Sequence, residues 1–317
     1  MTGDTAQAGM VILMAVRNGA AHLAEQLGSF AAQGDPDWDL IISDDGSDDA
    51  SLTVAKDYAA AWKGAGKPHQ VTLLEGPRQG FVANFFHLLC HIPETARYAA
   101  LSDQDDVWFP EKLTRAKVAL SALPKDRPAL YCARSQICDD DLNPLRLSTL
   151  FDRPAGFRNA LVQSIGGGNT MVLNRAAIDL VQAAIPEAET AAVHDWWLYQ
   201  IVTACGGVIH SDPEPVLHYR QHEGNAIGAN TSAQARIRRI LFILGRRFAG
   251  WNEINLKALS ASRHRFTPEA RRVLDYYIAA RRGPPWSRLR ALRAAGVYRQ
   301  SRPGTIALYA ACLIGRL

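Results

Sequence analysis

Short, nearly unbroken apolar runs alternate along the first hundred residues with stretches of helical period. "MVILMAV" (Met10 to Val16), "WDLIIS" (Trp38 to Ser43), "VTLLE" (Val71 to Glu75) and "YAALS" (Tyr98 to Ser102) have the length of strands, not of membrane spans. Between them lie "AAHLAEQLGSFAAQ", residues 50–62 and "GFVANFFHLLCHI", which place apolar residues three and four apart. Continuous apolar strands separated by helices predict a parallel sheet covered on both faces. In such sheets a ligand sits beyond the carboxyl ends of the strands. Two acidic turns fall on that edge: "SDDGSDD" after the second strand and "DQDD" after the fourth.

Further along, Pro110 predicts the first turn of a helix reaching Leu123, followed by a strand "ALYCARSQI" and a loop from Asp139 to Pro154. A glycine-rich "GGGNTMVLN", a helix "HDWWLYQIVTACG" and a strand near "PVLHYRQH" come next. From Ser232 the chain reads as helical; one segment carries Thr267 as N-cap, Pro268 at the first helical position and Gly283 as a stop. The expected division is a flexible lead-in over residues 1–9, a catalytic domain over 10–230 and a basic helical region over 231–317.

Charge sharpens that division. From residue 231 onward there are 18 Lys/Arg against 3 Asp/Glu, a balance of +15; the first 230 residues carry 17 against 28, or −11. A basic tail on an acidic body favours an anionic partner for the tail. Five cysteines with no C-x-x-C pair fit a reducing cytoplasm and argue against a disulfide framework or a zinc knuckle.

The carboxylates of Asp103, Asp105 and Asp106 repel one another unless they are solvated or share a cation. Mg2+ or Mn2+ would take one or two of them together with substrate phosphates. A solvated acidic loop accounts for the spacing equally well. In "SDDGSDD" the Asp–Gly pair makes a turn and Ser47 or Asp49 caps a helix, which leaves Asp44 and Asp45 less well explained. Asp195 in "VHDWW" reads as an N-cap or as a general base. Trp196 and Trp197 read as core or as an apolar wall for a ring. In "RIRRILFILGRRF", Ile237, Ile240, Leu241, Leu244 and Phe248 form one face of a helix that would pack on the body or lie on a membrane surface.

The ordered series "ILMAVRNGAAHLAEQLGSFAAQ", "WDLIISDDGSDD", "GFVANFFHLL", "LSDQDDVWFPEKL", "GGGNTMVLNR", "HDWWLYQIV" and "YRQHEGNAIGA" resembles the family 2 glycosyltransferases, and among them the bacterial rhamnosyltransferase-like branch. The resemblance covers Met10 to Ala229. It implies an α/β GT-A nucleotide-diphospho-sugar transferase fold, Rossmann-like with a mostly parallel sheet, here with a C-terminal helical extension. It implies donor contacts from Ala15, Arg17, Asp44, Asp103, Gln104 and Arg220, a divalent cation (Mn2+ or Mg2+) on Asp105 and His222, Asp195 as catalytic base, and acceptor contacts from Gly167, Trp196 and Trp197. The implied reaction is inverting transfer from a dTDP- or UDP-sugar to a saccharide or lipid-linked oligosaccharide, with no nucleic-acid partner. Arg17 stands where the family usually carries an aromatic residue. A silent nucleotide-sugar-binding scaffold and a nucleotidyltransferase are the alternatives; the latter lacks a glycine-rich basic phosphate loop after the first strand.

Overall fold

The computed structural model describes residues 9–64, 69–221, 243 and 245–317. Four parallel neighbours form the core of the sheet: β1 (Met10–Val16), β2 (Trp38–Asp44), β3 (Val71–Glu75) and β4 (Tyr98–Ser102). They lie in the order β3-β2-β1-β4. Met10, Ile12, Leu40, Ile42 and Ala100 are all buried, as a sheet covered on both faces requires. The crossovers are α1 (Leu23–Ala31), α2 (Ser51–Gly64) and α3 (Phe81–Cys90). Register fixes the edge that matters: Val16 lies opposite Asp44, and Met14 opposite Ser102. The two acidic turns therefore leave the sheet beside the end of β1.

The second half of the sheet is antiparallel. After β5 (Val107–Trp108) and α4 (Lys112–Ser121) come β6 (Ala129–Cys138), β7 (Pro144–Leu147), β8 (Val172–Asn174) and β9 (Val208–Arg220). The order continues β4-β8-β6-β9-β5, with β7 on β6. The helix after Pro110 starts two residues later than its proline predicts, at Lys112, behind a turn. Among the elements absent from the sequence reading are β7, in the stretch taken as loop, and a helix α6 (Arg175–Ala188). The "PLRL" of β7 is only four residues long, opens on a proline and leaves both leucines exposed, so it gives too short a pattern to betray a strand.

The remaining helices are α5 (Phe157–Ala160), α7 (His194–Ala204), α8 (Arg246–Ala261), α9 (Pro268–Ala279), α10 (Pro285–Ala295) and α11 (Arg302–Leu313). Thr267 caps α9 as its sequence predicts, accepting from the Ala270 amide at 3.1 Å. The chain divides into two compact units, one of residues 1–148, 166–182 and 210–228, the other of 149–165, 183–209 and 229–317. The expected boundary near 230 is thus only the last of five crossings; the earlier segments of the second unit belong with the basic helices. Among the described residues no helix is long and apolar enough to cross a membrane. Most of "RIRRILFILGRRF" lies outside the described residues; its Phe248 is buried in the second unit, stacked on Trp196 at 6.5 Å.

Candidate active site

At the end of β1 the chain runs through Ala15, half-buried, to Arg17 and Asn18, both exposed. Gln104 spans from the acidic turn to this loop. Its amide accepts from Arg17 N at 2.7 Å and donates to Arg17 O at 3.0 Å, imitating a strand pairing. Gly19 makes room for that side chain, since a Cβ there would lie 2.4 Å from it. Across the gap, Asn18, Gly19 and Ala20 donate their amides to Ser47, Ser51 and Asp49. Gln104 is thereby a brace between two loops, and Arg17, one residue past the Val16–Asp44 register pair, keeps an exposed side chain.

The two carboxylates closing β2 have different tasks. Asp45 is buried and accepts from the amides of Arg78 (2.6 Å) and Gly80 (2.7 Å), which latches the loop leading into α3. Asp44 is half-buried and turns back on its own loop, accepting from Ser47 N and Ser47 Oγ. A hydroxyl donor on Asp44 holds its orientation and leaves a carboxylate's further lone pairs for a ligand.

Asp103 and Asp105 are half-buried in the acidic turn, while Asp106 is fully buried. The turn is held from several sides. Ser102 Oγ donates to Asp103 O at 2.7 Å and receives Gln26 from α1 at 3.0 Å. Asp106 accepts from the Asn169 amide at 2.6 Å, which joins the "DQDD" turn to "GGGN". Gly167 in that second loop is exposed, and a Cβ there would come within 2.6 Å of Asn169 Oδ1. Glycine is therefore needed for the fold of the loop itself.

A positive charge does sit among these carboxylates, and it comes from the protein. Lys112, fully buried at the start of α4, donates to Asn169 O at 2.5 Å, and its ammonium lies 3.1 Å above the Trp108 ring. Burial pushes the Asp106 carboxyl well above the usual carboxylate range, helped by Asp103 and Asp105 and opposed by Asn169 and Lys112. Burial likewise pushes the Lys112 amine down, against the pull of Asp106 and Asp103. Neither charge is stable there without the other. Sequence reading missed Lys112, although a signal existed. It falls on the same stripe as Leu113, Ala116 and Leu120, so a lysine occupies the buried face of an amphipathic helix.

Arg220 differs from expectation. Its side chain is almost wholly buried; Nε donates to Asp105 O at 3.1 Å, and the two terminal nitrogens reach Asp140 O and the Glu25 carboxylate. A guanidinium spent on three protein oxygens supports the acidic turn and does not offer itself to a diphosphate. His222 lies outside the described residues. No group of three or more His, Cys, Asp or Glu arranged to hold a metal occurs among the described residues.

In the second unit, α7 begins at His194 with Val193 as its cap residue, so Asp195 is not the N-cap. It lies half-buried in the first turn, where the helix dipole favours an ionised carboxylate. Trp196 and Trp197 are both buried, and Trp196 Nε1 donates to Ala160 O at 2.6 Å. They are core of this unit, which corrects the expectation of a sugar-facing wall. Burial pushes the imidazole of His194 down to about 3 from an ordinary 6.5. The unfolded chain then binds the extra proton between those values, so stability falls as pH drops through the window, by about 1.4 kcal/mol per unit. His194→Gln is expected to shrink that acid sensitivity, read as the difference in urea midpoints between about pH 7 and about pH 5.

The model of the glycosyl transferase family 2 matches residues 11–179, more than half of the chain. The dTDP-rhamnosyl transferase RfbG of Shigella flexneri is 27% identical over 243 residues, 72% of this chain and 78% of RfbG. A putative glycosyltransferase of Bacillus subtilis (strain 168), EpsE, is 32% identical over 105 residues, which cover 33% of this chain and 35% of EpsE. Among solved structures, S. aureus TarS 1-349 in complex with UDP-GlcNAc superimposes with a TM-score of 0.50 over 96% of this chain and 90% of that one. At 13% identity that likeness speaks for the fold, the GT-A fold expected from the sequence. The matched region carries β1 to β4, both acidic turns and the buried lysine behind them, and with it this chain belongs to the glycosyl transferase family 2 as a GT-A glycosyltransferase of the rhamnosyltransferase-like kind.

Proposed function

We propose that the chain transfers a sugar, rhamnose foremost, from a dTDP donor to a saccharide or lipid-linked acceptor, with inversion at the anomeric carbon. The likeness to RfbG over most of both chains supports the donor, and UDP-sugars are the second choice. The carrying observation in the structure is the edge of β1, β2 and β4. There Asp44, Asp103 and Asp105 keep half-buried carboxylates while their backbones are fixed by Gln104, Ser102, Asn169 and Arg220.

In this reading Asp44 accepts from the imide of the base, Arg17 lies over or beside that base, Ala15 supplies backbone contact, and Asp103 receives a ribose or sugar hydroxyl. Gly167 borders the acceptor. A divalent cation fits the acidic turn: its donors are hard carboxylate oxygens, and Asp106 Oδ1 is buried without a hydrogen-bond partner, an excess of acceptors that a nearby positive charge relieves. Asp105, with His222, would hold it, and it would supply charge against the departing diphosphate. Asp195 takes the proton of the acceptor hydroxyl as that oxygen attacks the anomeric carbon. A lipid-linked acceptor would place this work at the membrane face.

Asp195→Asn tests the assignment of the base. Transfer from dTDP-rhamnose to acceptor is expected to fall by about 10²–10⁴-fold, while calorimetric affinity for dTDP stays unchanged. Transfer near the wild-type rate would remove Asp195 from the chemistry.

A further inference from the structure

We infer that the outer faces of α10 and α11 form a docking surface for an anionic phospholipid bilayer. The inference deepens the membrane-borne acceptor proposed above and rests on that reading for its purpose, though not for its physical argument.

Each helix has one buried and one bare face. On α10, Leu292 and Ala295 are buried while Trp286, Arg290 and Arg293, spaced four and three apart, are exposed. On α11, Leu308, Ala311 and Cys312 are buried while Ile306, Ala310 and Leu313 follow the same spacing on the exposed side. Three apolar side chains stand far out: Trp286 at 78% exposure, Ile306 at 70% and Ile314 at 58%. The helices pack together, and Arg288 donating to Leu313 O at 3.1 Å sets the start of α10 beside the end of α11. The start of α10, which carries Trp286, thereby lies near the end of α11, which carries Leu313 and Ile314.

The stretch that builds this corner carries charge of one sign, while Glu253 and Glu269 of earlier helices are paired with Arg281 and Arg158. Residues 276–317 contain eight arginines and not one Asp or Glu. Exposed Arg302 and Arg316 bracket the apolar face of α11, and exposed Arg290 and Arg293 continue the face that Trp286 begins. Large apolar groups interleaved with long-stemmed cations match the bilayer interface, where tryptophan lies at headgroup depth and arginine stems snorkel. A protein partner would favour a contiguous apolar centre depleted of charge, which this surface lacks.

The test is co-sedimentation of the full chain with vesicles of phosphatidylcholine alone and of phosphatidylcholine mixed with phosphatidylglycerol. Binding is expected only to the mixed vesicles and is expected to weaken with salt. The double variant Arg290→Gln, Arg293→Gln should lower partitioning about thirtyfold, at about 1 kcal/mol per basic residue. Trp286→Ser should lower it while leaving the salt dependence in place. All three positions are exposed, so near-UV circular dichroism should remain that of the wild type. Equal binding to neutral vesicles, a double variant that partitions unchanged, tighter binding to duplex DNA than to mixed vesicles, or dimerisation lost in Trp286→Ser would each overturn the inference. Calorimetry with dTDP on the same protein separates the two readings. Nucleotide binding without vesicle binding sinks the lipid surface alone, and vesicle binding without nucleotide binding upholds the surface while sinking the donor site.

Discussion

Asp105→Asn is expected to lower sugar transfer by about a thousandfold or more while the protein keeps its fold, because several kcal/mol of charge stabilisation at the leaving diphosphate depend on one carboxylate. The substitution preserves size. The backbone carbonyl that receives Arg220 remains, so the turn should hold its place. Calorimetry distinguishes this from a general loss of structure: dTDP affinity that rises with Mn2+ in the wild type should become indifferent to Mn2+ in the variant. A variant that still responds to Mn2+ would move the cation to another residue, and one with wild-type turnover would end the role of the turn in catalysis.

Lys112→Met should cost about 1–3 kcal/mol of stability, the range for leaving a buried acceptor, here Asn169 O, without its donor. The methionine fills nearly the same volume over Trp108, so packing changes little, and what is lost is the hydrogen bond to Asn169 O and the electrostatic support of Asp106. With Lys112 gone, one influence holding the Asp106 carboxyl down disappears, and its folded pKa rises further above the ordinary value. A carboxyl of that kind keeps its proton in the fold and gives it up on unfolding, so the deficit should grow as pH rises. Urea melts at several pH values read the effect. Adding Asp106→Asn should restore part of the loss, and an undiminished loss in the double variant would show that Lys112 acts through packing instead.

The alternating β/α half was open to reading because its strands are continuous apolar runs and the turn after β2 carries an Asp–Gly signature. β1 through β4 follow the expected stretches within a residue. The antiparallel half was less readable: β5 is two residues long, and β7 is a four-residue exposed edge paired with β6. The place of both acidic turns at the ends of β2 and β4 was legible, whereas the contacts of several side chains were not. Gln104 and Arg220 look from the sequence like ligand contacts, yet their polar atoms are spent on Arg17, Asp105, Asp140 and Glu25. Only three dimensions reveal such commitments, since the partners stand up to 195 positions apart. Trp196 misleads for the same reason, its partners being the remote Ala160 and Phe248, and Trp197 beside it is wholly buried.

That long reach of Arg220 carries a consequence for how the enzyme is made. The parallel strands and their helices are complete by Ser102, and at about 5–20 residues per second of synthesis the ribosome needs several more seconds to deliver the end of β9. Until then no guanidinium stands behind Asp105, and the acidic turn lacks its rear support. A nascent chain in this interval lacks both β9 and the guanidinium behind Asp105, so the support of the acidic turn is among the later parts of this unit to be delivered.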